Sequence, residues 1–311
     1  MLKSYVIILL STWKRKIWGK KIMKMIHMEC PNHPEATLEG YILDCEITLG
    51  QEKKRPAIIV CPGGGYIYCS PREGEPIALG FAAKGYHAFV LRYSTGWDAA
   101  GFSPLQEISW AVGYLREHAE EWNIDSDKIL SCGFSAGGHL AMAAGLLAEN
   151  KVNGMILGYP AVSIPNMPGS FMLQLLTGKK EVTNEDAEQF NLLNKITKDA
   201  PPVFMVATAE DLLTTYGALP VANKYAELGL FYELHVFQHG PHGYALANEV
   251  TADGSSQVLN AAFSTWQDLS VEWLKKVYGQ PEFVDKTTSK IGQYMAKLGF
   301  TMPGIGDGGF A

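Results

Sequence analysis

The chain has 311 residues, 47% of them hydrophobic, which is enough to bury one sizeable core and on length alone allows one domain or two. Its formal net charge is -6, with acidic side chains outnumbering basic ones, so the balance excludes a nucleic-acid binder and points to small neutral substrates. Five scattered cysteines, Cys30, Cys45, Cys61, Cys69 and Cys132, form no C-x-x-C pair and suit the reduced, apolar fillers of a cytoplasmic protein better than a disulfide framework.

In chain order, residues 1–28 come first, with seven basic side chains, no acidic one and a short apolar run, "YVIILL". That run is too short to span a bilayer and no small-residue cleavage site follows it. Residues 1–30 are therefore expected to be a basic extension: an accessory tail, or an early start with Met23, Met25 or Met28 as the alternative first residue. A basic helix resting on a membrane surface is the other reading. No later stretch is long and apolar enough for a membrane span, so the protein is expected to be cytoplasmic.

From about residue 36, short β-rich apolar runs alternate with longer amphipathic ones, the pattern of βαβ units around a mostly parallel sheet. "AIIVC", "HAFVLRY", "KILSCGF", "NGMILGY", "VFMVATA" and "YELHVF" read as strands. The clearest helix is "SPLQEISWAVGYLREHAEEW", with Ser103 as N-cap, Pro104 in the first turn and an apolar stripe of Ile108, Ala111, Val112 and Leu115. A second helix, "EPIALGFAAKG", ends at Gly85, and a third closes the domain with Gly279 as its C-cap. Residues 161–200 are too long for an ordinary connection and read as a small lid, with a helix that Thr183 and Asp186 can start. The expected organisation is an extension over 1–30, a catalytic domain over 31–280 and a C-terminal extension over 281–311. The last carries Ile291, Tyr294, Met295 and Leu298 at helical spacing, a stripe that docks on its own domain or joins a homo-oligomer.

"GFSAGGH" follows a strand and precedes a helix, the setting of a nucleophile elbow. Glycines clear the space a strained turn needs, so Ser135 is the candidate nucleophile and the Ala136 N–H a candidate oxyanion donor. "CPGGGY" ends the first strong strand, and Gly64 and Gly65 are candidates for the other oxyanion donors. No Lys-Ser/Thr pair follows these glycines, which argues against a phosphate loop. In "SPREGEP", Arg72 and Glu73 either brace the glycine loop as an ion pair or form solvated surface.

A serine needs a base, and the base an orienting carboxylate. Asp211 lies just past "VFMVATA" and His242 just past "YELHVF", so the order Ser135, Asp211, His242 matches that of the α/β-hydrolase fold, each residue on a loop after a strand. Glu210 is the alternative to Asp211, and His239 the alternative to His242. His139, one helical turn after Ser135, reads as a satisfied core histidine. His239 and His242 have no third ligand nearby in sequence, so neither metal nor cofactor is expected. Tyr66, Tyr68, Trp97 and Phe102 are candidates for a sugar-stacking wall, with core packing as the default.

Together, "CPGGGY", "REGEP", "LRYS", "PLQEISWAVGYLREHAEEWNID", "GFSAGGHLA", "APPVFMVATAED" and "ELHVFQHGPHGYAL" resemble the small α/β-hydrolase esterases related to acetyl xylan esterases and, more distantly, to hormone-sensitive-lipase-like enzymes. The resemblance runs in order from about residue 36 to 279. It implies a Ser-Asp-His carboxylesterase acting on small acyl groups, often acetyl groups on sugars. Pro62 stands where the lipase-like relatives have a histidine, which places the chain on the xylan-esterase side. "TAEDLLT" departs from the second aspartate and Val-Pro pair of many members, so the acid loop carries the resemblance least. A feruloyl-type esterase or a peptidase on the same fold is the alternative among enzymes, and a non-catalytic ligand-binding relative the alternative outside them.

Overall fold

A strand buried on both faces needs apolar side chains at successive positions, and the runs named above supply them, except for "YELHVF", which forms an edge strand. The computed structural model describes residues 23–44, 54–166, 171–279 and 297–299. Among the described residues one sheet is formed, from β1 (Met23–Cys30), β2 (His33–Leu43), β3 (Arg55–Cys61), β4 (His87–Arg92), β5 (Ile124–Phe134), β6 (Gly154–Gly158), β7 (Val203–Thr208) and β8 (Tyr232–Phe237). Their spatial order is β1-β2-β4-β3-β5-β6-β7-β8. The six strands from β4 to β8 in that order are mutually parallel, and β1 and β2 extend the sheet antiparallel at one side. The chain thus has the α/β-hydrolase architecture, a mostly parallel sheet between helices.

Side chains alternate across a strand, so each central strand feeds two cores. In β3, Ala57, Ile59 and Cys61 join the core beneath helices Ser103–Glu117, Ala136–Leu146 and Ala218–Leu228. Ile58 and Val60 join the core on the opposite face, beneath helices Glu75–Ala83 and Trp266–Tyr278. Every residue of Ala136–Leu146 is buried, as expected of a helix apolar on all sides. The strands' C-terminal ends therefore open on one edge, where the loops after β3, β5, β6, β7 and β8 meet.

The edge of the sheet differs from expectation. Met23–Cys30 belongs to it as β1, paired with β2 from Met23 opposite Leu43 to Glu29 opposite Thr37, so the boundary drawn at residue 30 falls one strand too late. The period-2 signal of β1 is weak because seven of its eight side chains are only partly buried or exposed. The usable cue was the turn, where Asn32 adopts a left-handed conformation with φ of 67°. Ser103 is likewise the first helical residue and not the cap: Phe102 holds the N-cap position, and the Ser103 hydroxyl donates to the Asp98 carbonyl. The stripe Ile108, Ala111, Val112 and Leu115 is fully buried.

The segment between β6 and β7 holds helices Met172–Thr177 and Asn184–Glu188 and is tied across itself by a bridge from Ser163 to Asn191. Thr183 and Asp186 form a reciprocal capping box. The run at residues 1–22 and the stripe residues Ile291, Tyr294 and Met295 lie outside the described residues. No helix among the described residues is long and apolar enough to cross a membrane.

Candidate active site

Ser135 connects β5 to the helix Ala136–Leu146 with φ of 52° and ψ of -119°, a conformation that costs a non-glycine residue about 1–3 kcal/mol. The surroundings hold it there: its N–H donates to the Gly158 carbonyl at 3.0 Å, and its carbonyl accepts from the His139 and Ala161 N–H groups. The flanking glycines allow this packing. A Cβ on Gly133 would lie 2.1 Å from the Gly137 carbonyl oxygen, and one on Gly137 would lie 2.1 Å from that of Cys61. The turn is therefore pressed against the end of β3, and with it against the glycine loop.

An unbroken hydrogen-bonded line runs through this turn. The Ser135 Oγ lies 2.8 Å from His242 Nε2, and His242 Nδ1 lies 2.7 Å from Asp211 Oδ2. A carboxylate only accepts, so in the neutral ring Nδ1 carries the proton and Nε2 is free to accept from the serine hydroxyl. The Asp211 side chain is only 3% exposed, whereas that of His242 is 41% exposed. Asp211 is itself oriented, because its Oδ1 accepts the Leu213 N–H at 2.9 Å as the N-cap of helix Leu212–Tyr216.

The alternatives pair with each other instead. Glu210 Oε1 lies 2.8 Å from His239 Nδ1, and Glu210 Oε2 accepts the Gly240 N–H. The His239 hydrogen bond holds the Glu210 carboxyl below the usual carboxylate range. Both side chains are more than half exposed, and neither is bonded to Ser135. Folding thus separates two acid-histidine pairs that the sequence left side by side.

The glycine loop is left-handed at Gly64, Gly65 and Tyr66, with φ of 122°, 64° and 60°. A Cβ on Gly64 would stand 2.1 Å from the Tyr68 carbonyl oxygen. The Gly63 N–H is taken by Glu73 Oε2 at 2.9 Å, while the N–H groups of Gly64, Gly65 and Ala136 meet no acceptor among the described residues. The last of these is also an unpaired N–H of a helix's first turn. Such donors are available to an oxygen carrying negative charge.

Other side chains settle differently from expectation. Glu73 does not pair with Arg72 against solvent; it is buried, and Arg72 Nε donates to the Thr251 carbonyl. Tyr66 and Phe102 are core residues that pack on the His139 ring. His139 is itself buried and doubly satisfied, with Nε2 donating to the Phe190 carbonyl at 3.0 Å and Nδ1 accepting from the Tyr66 hydroxyl at 2.9 Å. Burial pushes its imidazole down to about 4. Tyr68 and Trp97 are more than half exposed, and Phe171, which the sequence did not single out, rests its ring end on Gly65. No periodicity marks Phe171, since it stands at the start of the short helix Met172–Thr177, whose position only packing determines.

The BD-FAE family model matches residues 43–218. The chain is 32% identical over 225 residues to endo-1,4-beta-xylanase B of Butyrivibrio fibrisolvens, an alignment covering 65% of this chain and 34% of that protein. It thus spans about a third of the length of that curated relative. Among solved structures, MGS-M1, an alpha/beta hydrolase enzyme from a Medee basin deep-sea metagenome library, is 33% identical with a TM-score of 0.73, over 84% of this chain and 100% of that one. The acetyl ester-xyloside bifunctional hydrolase of Caldicellulosiruptor lactoaceticus is 26% identical with a TM-score of 0.69, over 82% of this chain and 97% of that one.

Proposed function

This chain belongs to the BD-FAE family of α/β-hydrolases, and from that premise we propose that it is a serine carboxylesterase that removes short acyl groups, acetyl above all, from sugars or xylo-oligosaccharides. The observation that carries the reading is the line from Asp211 through His242 to Ser135 at the strained turn. In this reading the Ser135 oxygen attacks the ester carbonyl carbon while its proton passes to His242 Nε2. Asp211 keeps the ring in its Nδ1–H form and stabilises the imidazolium, and the Gly64, Gly65 and Ala136 N–H groups receive the oxyanion. The imidazolium returns the proton to the departing sugar alkoxide, leaving an acyl-serine. Water then attacks the acyl-serine, giving its proton to His242, and the carboxylic acid leaves as Ser135 regains its hydrogen.

Acetyl groups on sugars are favoured over other esters by the similarity to the acetyl ester-xyloside bifunctional hydrolase, and a sugar substrate by the exposed Tyr68 and Trp97 near the glycine loop, which offer ring faces to it. None of these steps asks for a metal or organic cofactor. The test is acetate release from acetylated xylo-oligosaccharides and from simple acetate esters by the full chain and by Ser135→Ala. Release that falls below a few per cent in the variant, at an unchanged thermal midpoint, is expected. Feruloyl or aminoacyl reporters cleaved faster than acetyl ones would move the chain to a neighbouring activity. Failure of a fluorophosphonate to label Ser135 would move it to a binding role.

A further inference from the structure

Glu73 is a carboxyl buried beside the reacting groups and not used by the mechanism above. It sits on the turn Pro71–Glu73 after the glycine loop and is 5% exposed. Both of its oxygens are engaged: Oε2 accepts the Gly63 N–H at 2.9 Å, and Oε1 accepts the Tyr159 O–H at 2.6 Å. The Tyr159 oxygen in turn accepts the Ala245 N–H at 2.8 Å. Two backbone N–H groups can only donate, so the arrangement that uses every polar hydrogen passes from Ala245 to Tyr159 to Glu73, leaving the acid two accepting oxygens, as in a carboxylate. Burial pushes the Glu73 carboxyl up, opposed by the Tyr159 hydroxyl, the His242 imidazole, the Gly63 N–H and the Arg72 guanidinium.

The partners are not ordinary core groups. Gly63 precedes the two candidate oxyanion glycines, and a Cβ placed on it would lie 2.5 Å from Glu73 Oε2 and 3.1 Å from Ser135 Cβ. Tyr159 follows β6 and sets its ring edge-on to the His242 ring, with centroids 5.0 Å apart and planes at 73°. Ala245 lies three residues past His242. Tyr159 and Ala245 both hold positive φ, 35° and 51°, which non-glycine residues adopt only where surroundings over-determine them. An apolar core would be at least as stable without an ionisable group, so stability is a poor reason for a carboxyl here.

We propose that Glu73 is a positioning residue for the Ser135–His242 chemistry: through Gly63 it sets the glycine loop and through Tyr159 it sets the loop that carries His242, so one buried acid aligns the oxyanion donors with the base. The proposal rests on the serine-esterase reading. It is distinct from the role of Asp211, which bonds the imidazole directly.

The experiment measures kcat and KM for para-nitrophenyl acetate, with thermal midpoints, in the full chain, Ser135→Ala, Glu73→Gln, Tyr159→Phe and the double variant Glu73→Gln with Tyr159→Phe. Glu73→Gln and Tyr159→Phe are each expected to lower kcat about tenfold or more while KM stays within about threefold, since small misalignments of reacting groups act on the chemical step. The double variant should be no worse than the more damaging single change, because the two side chains act as one unit. Should Glu73→Gln fail to fold, Tyr159→Phe alone decides. A folded variant that keeps more than half the wild-type kcat, a loss confined to KM, or multiplying losses in the double variant overturns the proposal. Hydrolysis absent from the wild type, or persisting in Ser135→Ala, overturns the esterase reading and this proposal with it. Hydrolysis that needs Ser135 but ignores Glu73 overturns this proposal alone.

Discussion

Two histidines three residues apart have opposite surroundings, and this sets what each substitution should do. His242 bridges a buried carboxylate and the Ser135 hydroxyl, whereas His239 pairs with an exposed glutamate. His242→Ala is expected to lower kcat by about a thousandfold or more, close to the level of Ser135→Ala, because members of a cooperating unit fail together. His239→Ala should cost about tenfold or less, and steady-state assays of both variants check the pair. His139 supports a different prediction. Its imidazole titrates near 4 in the fold against 6.5 in the unfolded chain, so between those values the unfolded state binds more protons. Its contribution to stability is therefore complete above about pH 6.5 and is lost as the pH falls toward 4. Denaturant unfolding across that window should show a steeper loss for the wild type than for His139→Gln, and parallel curves would contradict this.

The turn at Ser135 and the helix Asn184–Glu188 show how differently two elements depend on single side chains. A Cβ on Gly137 would meet the Cys61 and Pro62 carbonyl oxygens at 2.1 and 2.3 Å, and backbone cannot yield as a flexible side chain does. Gly137→Ala should cost about 3 kcal/mol or more and remove activity with it, read from denaturant unfolding and acetate release. The helix Asn184–Glu188 is held mostly from its end, where Thr183 and Asp186 exchange hydrogen bonds and Lys179 pairs with Asp186. Thr183→Ala should lower that helix's local stability by about 1 kcal/mol, seen as faster amide exchange over residues 184–188, with the global unfolding midpoint nearly unchanged.

At the scale of the whole molecule the sensitive region is the antiparallel side of the sheet. β1 covers β2 along its length, and its Ile26 and Met28 pack against the larger core. Without it, β2 would become a bare edge with unpaired N–H and C=O groups, a template for aggregation. A chain beginning at residue 31 should therefore melt about 5 °C or more below one beginning at residue 23. Equal midpoints in calorimetry would show that β1 adds nothing to the fold.

Much of this protein could be read in advance because its signals are local. Five of the six parallel strands announce themselves as apolar runs, since a strand buried on both faces has no polar side to show, whereas β8 stands at the sheet edge and is only partly buried. Ser135 announces itself because only glycines fit where backbone approaches backbone within bonding range, and that demand is written at fixed offsets around one residue. What stayed ambiguous depended on contacts between distant segments. Whether Asp211 or Glu210, and His242 or His239, joins the serine turns on which side chain of the loop after β7, and which of the loop after β8, faces the β5 end, and that is fixed by how these loops pack across the sheet. β1 was hidden because its order comes from β2 and not from its own pattern. Glu73 was hidden more deeply: in sequence it looks like one charge beside another, and only the packing of three separate loops turns it inward to Gly63 and Tyr159. Local chemistry names the groups that can react, whereas the choice among equivalent neighbours is made by long-range packing, which a linear order of residues does not encode position by position.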